Sequence, residues 1–356
     1  MRKVSKNNTQ KDDLVKKLQA LPKVSLGFFP TPLHKLENIS RDLGVNLFIK
    51  RDDFSGRNLF GGNKVRKLEY LLGNAKQLGC EYVFTYGATQ SNHAMQTVTA
   101  CRAIGLKPII YLLALVAVDE DDLRSNLLLD HIFDAEIHII TPLNGESEED
   151  AEERSFQLAK LRQEELEAAG HKCYDVPMGG ASFLGSTAFI EGFIEMTEQM
   201  ASYNLHADYL FHATGTGGTL AGLVAAKKAI NETTKIISIN VSSKDDSYLK
   251  KVADLANEAL EHLGLSSRVD AFTDLCTDLN YYAPGYEQPN QASTDAIKYL
   301  AKMEGLLIDP VYTGKAFAGL IDYIRSGKIA SNSNVVFWHT GGATAIFAEK
   351  EILGKI

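Results

Sequence analysis

Tyr209-Leu210-Phe211-His212-Ala213-Thr214-Gly215-Thr216-Gly217-Gly218-Thr219-Leu220-Ala221-Gly222 decides the fold. An apolar run of strand length ends in a cluster of glycine and threonine, then passes into a helical pattern over 220–230 that leads to a second apolar run at 236–241. That is a β-α-β unit with short connections, the building block of a parallel sheet covered by helices. The alternation recurs along the chain. Apolar runs at 47–50, 82–86, 108–113, 136–140 and 335–339 read as strands, and helical patterns over 68–78 and 94–104 lead into the runs at 82 and 108. The expected fold class is α/β, with mostly parallel twisted sheets flanked by helices.

At 356 residues the chain is longer than one hydrophobic core comfortably serves, so two lobes with a cleft between them are expected. Hydrophobic residues make up 45% and charged residues 23%, the balance of an ordinary globular protein. The formal charge of -8 disfavours nucleic acid and anionic membrane surfaces as partners and favours small molecules. Cys80, Cys101, Cys173 and Cys276 are widely spaced in strand or helix patterns and read as free, mostly buried thiols of a reducing compartment. Residues 1–11 are polar and lysine-rich and lack the apolar core of a signal peptide; no run approaches 18 apolar residues. The reading is a cytoplasmic protein whose frayed start gives way to a short amphipathic helix at Leu14, Val15 and Leu18. The acidic stretch 144–154 reads as a solvated helix start capped by Ser147, and no metal site is expected.

Three segments carry chemistry. In the first, Phe60-Gly61-Gly62-Asn63-Lys64-Val65-Arg66-Lys67-Leu68-Glu69-Tyr70, the glycines permit backbone angles closed to other residues and Asn63 is a good helix N-cap. Lys64 then falls on the first turn, where the helix dipole disfavours the ammonium and favours a nucleophilic amine. The alternative is a solvated lysine in a basic run with Arg66 and Lys67. The second is the glycine-threonine turn 214–219, where N-H groups converge at a helix start as in phosphate sites. Its spacing is neither that of a P-loop nor Gly-x-Gly-x-x-Gly, which disfavours a nucleotide. The third, Gly87-Ala88-Thr89-Gln90-Ser91-Asn92-His93, places several short polar side chains at a helix start suited to a carboxylate. Loops at 281–290 and 309–315, bearing Tyr286 and Tyr312, either roof a pocket or pack under a surface turn. The apolar strand ending His339-Thr340-Gly341-Gly342 faces the ligand crevice by the strand-end rule.

In this order, these segments resemble the pyridoxal-phosphate enzymes of the tryptophan-synthase-β fold (fold type II), in the branch that holds D-cysteine desulfhydrase and 1-aminocyclopropane-1-carboxylate deaminase. Thr31-Pro32-Leu33, Ile49-Lys50-Arg51-Asp52-Asp53, Pro177-Met178-Gly179-Gly180 and Asp309-Pro310-Val311-Tyr312 extend the likeness from about Pro30 to the C-terminus. The resemblance implies pyridoxal 5'-phosphate as cofactor, a small amino acid as substrate and a homodimer. It implies a discontinuous larger domain, 21–65 with 178–356, that binds the cofactor, a smaller domain, 66–177, and an N-terminal extension, 1–20. Lys64 would carry the cofactor and serve as base, and Asn92 would contact its phenolic oxygen. Thr214, Gly215, Thr216, Gly217, Gly218 and Thr219 would hold its phosphate. Ser91 and His93 would face the substrate carboxylate, with Tyr286 and Tyr312 beside the substrate. Thr313 and Thr340 stand where the deaminases have Glu and Leu, so a neutral hydroxyl would face the pyridine nitrogen. A ring without a carboxylate partner is a weaker electron sink, which suits expulsion of a thiolate better than opening of a cyclopropane. The expected reaction is elimination from D-cysteine to pyruvate, ammonia and hydrogen sulfide. Ring-opening deamination and elimination of sulfite from cysteate are the alternatives, and a non-catalytic binder on the same fold is a third.

Overall fold

Near-continuous apolar runs such as Asn46–Arg51, Tyr209–Thr214 and Asn334–His339 bury both faces, and in the computed structural model they pair in parallel. The structure describes residues 2–115, 123–288 and 290–348. In chain order the strands are β1 (Leu33–Lys35), β2 (Asn46–Arg51), β3 (Tyr82–Ala88), β4 (Lys107–Leu113), β5 (Glu136–Ile140), β6 (Cys173–Asp175), β7 (Tyr209–Thr214), β8 (Lys235–Asn240), β9 (Thr277–Asp278) and β10 (Asn334–His339). The helices are α1 (Arg2–Gln19), α2 (Glu37–Leu43), α3 (Asn63–Gln77), α4 (Asn92–Ala103), α5 (Ser125–Ile132), α6 (Glu148–Ala168), α7 (Phe183–Ser202), α8 (Gly218–Ala229), α9 (Tyr248–His262), α10 (Gln291–Glu304), α11 (Thr313–Arg325) and α12 (Ala345–Ala348).

Two sheets form. The larger has the order β1-β2-β10-β7-β8-β9 with β1 antiparallel, and the smaller, all parallel, has the order β5-β4-β3-β6. One face of the larger sheet packs on α1, α7, α8 and α9 through Phe189, Leu210, Leu223 and Trp338; the other packs on α2, α10 and α11 through Ile49, Phe211, Phe317 and Phe337. The sequence order jumps where β10 lies between β2 and β7, and again where β3 lies beside β6. Such switch points open a crevice at the carboxyl ends of the strands.

The seven expected strands form within a residue or two of their expected bounds. Strands β1, β6 and β9 were not anticipated, because two or three residues carry no readable periodicity. The start of the chain is helical from Arg2 rather than frayed. Ser147 caps α6 as expected, its hydroxyl accepting from the Asp150 N-H. Cys80 and Cys101 are buried, but Cys276 is exposed, against expectation. Among the described residues no helix is long and apolar enough to cross a membrane.

Candidate active site

Three turns leave the carboxyl ends of the adjacent strands β2, β10 and β7 and meet. The Asn63 N-H donates to the Thr340 carbonyl (3.0 Å), and Gly62 and Gly341 pair as an isolated bridge. The expectation that Gly61 and Gly62 supply special backbone angles is corrected here: neither lies in the left-handed region, and Gly62 is fully extended. Both are glycine because the chains approach closely. A Cβ on Gly62 would lie 2.4 Å from the Gln96 amide nitrogen, and one on Gly61 2.5 Å from the Gly56 nitrogen. Asn63 is also not the cap. It is the first residue of α3; its amide nitrogen donates to Thr219 Oγ1 (3.1 Å) and its oxygen accepts from Lys64 Nζ (3.2 Å).

Lys64 thus stands on the first turn of α3, its amine lowered by burial to about 8. Sequence reasoning gave Lys67 no role, yet it is 1% exposed, one turn on from Lys64, and donates to the Gly179 carbonyl (3.0 Å). Burial, and then the Lys64 charge, drives its amine well below the usual range. Among the described residues no carboxylate pairs with either amine. The i, i+3 spacing in Lys64-Val65-Arg66-Lys67 was the available signal, since it sets both amines on one helix face.

The 214–219 turn closes over this pair. Gly217 has φ +89, where a Cβ would also strike Val252 Cγ2 at 2.5 Å, and it precedes the first turn of α8. A Cβ on Gly218 would lie 3.0 Å from Lys67 Nζ. The Thr214 hydroxyl is bonded to Tyr248 on α9 (2.8 Å), a contact that sequence spacing does not reveal. Thr219 Oγ1 accepts from Asn63 and keeps its proton free. Thr216 lies against Gly179, where a Cβ would be 2.8 Å from its hydroxyl.

The Gln90-Ser91-Asn92 turn comes from the smaller sheet. Ser91 caps α4, its hydroxyl oxygen accepting from the Ala94 N-H (3.2 Å), so its proton is free. Asn92 reaches Gly342, where a Cβ would meet Asn92 Nδ2 at 3.1 Å and Asp309 Oδ1 at 3.0 Å. A cavity of about 360 Å³ is lined by Arg51, Phe60, Gly61, Asn92, Gly342 and Thr344 among others. His93 differs from its expected part as a carboxylate donor. The single Thr85 hydroxyl proton goes to the Val176 carbonyl (2.9 Å), so Thr85 accepts from His93 Nε2-H (2.9 Å). Burial and the neighbouring lysines hold the ring neutral, and Nδ1 has no partner. Its imidazole has no N-H left for a carboxylate.

Tyr312 flanks the glycine-threonine turn, 3.8 Å from a Cβ position on Gly215, and shares a short hydrogen bond with Tyr286. Burial raises both phenols above their usual range. Thr313 is 0% exposed and is engaged by Asp309: it accepts from the Asp309 N-H (2.8 Å) and donates to Oδ1. Asp309 also accepts the N-H groups of Val311, Tyr312 and Thr313. Thr340 offers a hydroxyl with no hydrogen bond among the described residues; its carbonyl takes the Asn63 N-H.

A buried amine, Lys67, and a half-buried one, Lys64, neither with a counter-ion, under a turn of free N-H groups and small residues, form a receptor for a multiply charged anion. A lysine amine brought down to about 8 beside it fits an aldehyde. Pyridoxal 5'-phosphate carries both groups. The sequence matches the family described as "Pyridoxal-phosphate dependent enzyme" over residues 24–341. It is 37% identical over 333 residues to a "Putative 1-aminocyclopropane-1-carboxylate deaminase" of Pyrococcus abyssi, covering 93% of this chain and 94% of the relative. It is 36% identical over 338 residues to a "D-cysteine desulfhydrase" of Yersinia pestis, covering 94% and 98%. A solved structure described as an ACC deaminase homologue superposes with a TM-score of 0.83 at 34% identity, covering 96% of this chain and 98% of the other. The chain belongs to the pyridoxal-phosphate dependent enzymes, with their type II fold and their cofactor.

Proposed function

We propose that this enzyme catalyses α,β-elimination from a small β-substituted amino acid, D-cysteine first, releasing pyruvate, ammonia and hydrogen sulfide. The two relatives' names divide between desulfhydrase and deaminase at nearly equal identity, so the residues must choose. The observation that carries the choice is the neutral character of both threonines: Thr313 is spent on Asp309, and Thr340 offers a hydroxyl and no charge. A pyridine nitrogen met by a hydroxyl lacks the carboxylate that would keep it protonated.

When bound, pyridoxal 5'-phosphate supplies the electron withdrawal that lets a proton leave Cα. In this reading Lys64 carries the cofactor, Lys67 and the N-H groups of 215–219 hold its phosphate, and Asn92 Nδ2 meets its phenolic oxygen. The Ser91 hydroxyl and the start of α4 hold the substrate carboxylate in place of the His93 ring. Lys64 Nζ, with an amine near 8, takes the Cα proton. The Cα-H electron pair forms the Cα=Cβ bond as the C-S pair leaves with sulfur. One proton of the Tyr286–Tyr312 pair joins the two phenols, and the other is free for the departing thiolate. Water then converts the released unsaturated amine to pyruvate and ammonia.

The same reading divides the chain into 21–65 with 178–356 and 66–177, supported by the two sheets, and takes the molecule as a homodimer, which sedimentation tests. The reaction is tested by 2-oxo acid release from D-cysteine, L-cysteine, 3-chloro-D-alanine, L-cysteate and 1-aminocyclopropane-1-carboxylate. Fastest turnover of D-cysteine and 3-chloro-D-alanine is expected. Efficient opening of the cyclopropane by the unmodified enzyme overturns the proposal in favour of deamination.

A further inference from the structure

Asn92 has an amide whose two ends differ in chemistry but hardly in shape, so something must hold its nitrogen toward Gly342. Asn126, on the first turn of α5 and 2% exposed, supplies that control. Its Nδ2 donates to the Gln90 carbonyl (2.8 Å) and to Asn92 Oδ1 (2.9 Å), while its backbone N-H donates to Gln90 Oε1 (3.0 Å). A backbone carbonyl cannot donate, so the Gln90 carbonyl fixes which end of the Asn126 amide faces it. Asn126 in turn presents a donor to Asn92 and fixes Oδ1 on its own side. Thr344 adds a second donor to the same oxygen (3.3 Å), from the loop after β10. With Oδ1 doubly engaged, Nδ2 is left for the Gly342 side, where it is found.

We infer that Asn126 is a positioning residue, which sets the polarity of the Asn92 amide by relaying it from the Gln90 carbonyl. This rests on the reading that Asn92 Nδ2 meets the cofactor's phenolic oxygen. A flipped Asn92 would turn an acceptor toward an acceptor there, weakening cofactor binding and altering its electronic environment.

The test compares Asn126→Asp, Asn126→Ala and Asn92→Ala by cofactor dissociation constant, visible spectrum of the loaded protein and melting of the cofactor-free protein. Asn126→Asp keeps the shape but removes the donor. Asn92 then turns its Nδ2 to the new carboxylate. The dissociation constant should rise about tenfold or more, with a shifted visible band. Asn126→Ala leaves Thr344 holding Oδ1, and its effect on both readouts should be smaller, although it deletes more atoms. A packing role gives the reverse order, and that order overturns the inference. If Asn92→Ala changes spectrum and affinity while Asn126→Asp changes neither, the relay is refuted and the Asn92 assignment stands. If Asn92→Ala changes neither, the assignment itself falls, and the relay with it. Should the aspartate variant fail to fold, Asn126→Ala with Thr344→Val removes both donors from Oδ1 and must reproduce the shift; wild-type spectrum and affinity in that protein refute the relay.

Discussion

Helix α3 buries positive charge on two sides, and the two sides treat it in opposite ways. Arg66 is held by Asp52 (2.8 and 2.9 Å) and Glu195 (2.8 and 2.9 Å), with Lys50 also on Glu195 and Thr31 bridging. Two cations meet two anions. Burial opposes the Arg66 charge, but Asp52 and Glu195 raise it more than burial lowers it; against burial, Arg66 in turn holds Asp52 low. Lys64 and Lys67 have only an amide oxygen and a backbone carbonyl. The same helix thus gives a closed ion cluster on one side and open positive charge on the other. A closed cluster is scaffold, because nothing remains for a ligand to satisfy. Open positive charge is a cost to the empty protein that an anionic ligand removes.

The largest expected effect lies on the open side. Lys64→Ala should abolish turnover, because the proposed function makes Lys64 both the attachment point of the cofactor and the base. Steady-state 2-oxo acid formation from D-cysteine by that variant, at any appreciable fraction of the wild-type rate, would remove Lys64 from both roles. On the closed side, Asp52→Ala should cost about 3–5 kcal/mol of stability, since Arg66 keeps its burial and loses one counter-ion. Urea unfolding of the cofactor-free protein measures it. A loss under about 1 kcal/mol would mean that Glu195 alone balances the arginine and that the cluster is not closed.

Lys67→Met sharpens the contrast, because its effect on stability should carry the other sign. The cofactor-free protein should be as stable as wild type or more so, having lost a buried amine without a counter-ion, while cofactor affinity should fall about tenfold to a hundredfold. Equilibrium dialysis and melting of the same preparation give both numbers. Unchanged affinity would move the phosphate away from Lys67. A smaller signature belongs to Lys64 in the cofactor-free protein, where the folded amine sits near 8 and the unfolded one near 10.4. Between those values the unfolded chain binds more protons, so stability rises with pH. Relative to Lys64→Met, wild type should be at its greatest disadvantage below pH 8, and the gap should close toward pH 10.4. A gap that does not change with pH would mean that Lys64 titrates normally.

The closed and open sides also explain what the sequence discloses. Lys64 is legible because two glycines, a helix start and a reactive side chain coincide within a few residues. Arg66 and Lys67 read as an ordinary basic run, since nothing local says that Asp52 and Glu195 lie opposite one and the glycine-threonine turn opposite the other. Partners distant in sequence escape for the same reason. Tyr248 on Thr214 and Asn126 on Asn92 are each separated by 34 residues. His93 looks like a donor by residue type, and only the Thr85 bond shows its N-H already spent. Strands of six or seven residues are readable because apolar runs persist through them; the short edge strands β1 and β9 are too brief to carry such a run.

The smallest expected effect tests the same distinction between an engaged group and an open one, at the two threonines. Thr313 is engaged: Thr313→Val strips Asp309 of one donor and leaves its N-H without the hydroxyl, a buried loss worth about 1–3 kcal/mol of stability. Because the hydroxyl proton already belongs to Asp309, the ratio of D-cysteine to cyclopropane turnover should stay as in wild type. Thr340 is open, and Thr340→Val removes a hydroxyl with no protein partner, so melting should move little. Where the proposed function has this hydroxyl meet the pyridine nitrogen, the loss would be one neutral hydrogen bond, about 1 kcal/mol, or about fivefold in the rate of thiolate elimination. The two variants therefore separate stability from turnover. If Thr313→Val instead changes the substrate ratio and leaves melting untouched, Thr313 is the residue that meets the pyridine nitrogen, and the Asp309 bonds are not what keeps it in place.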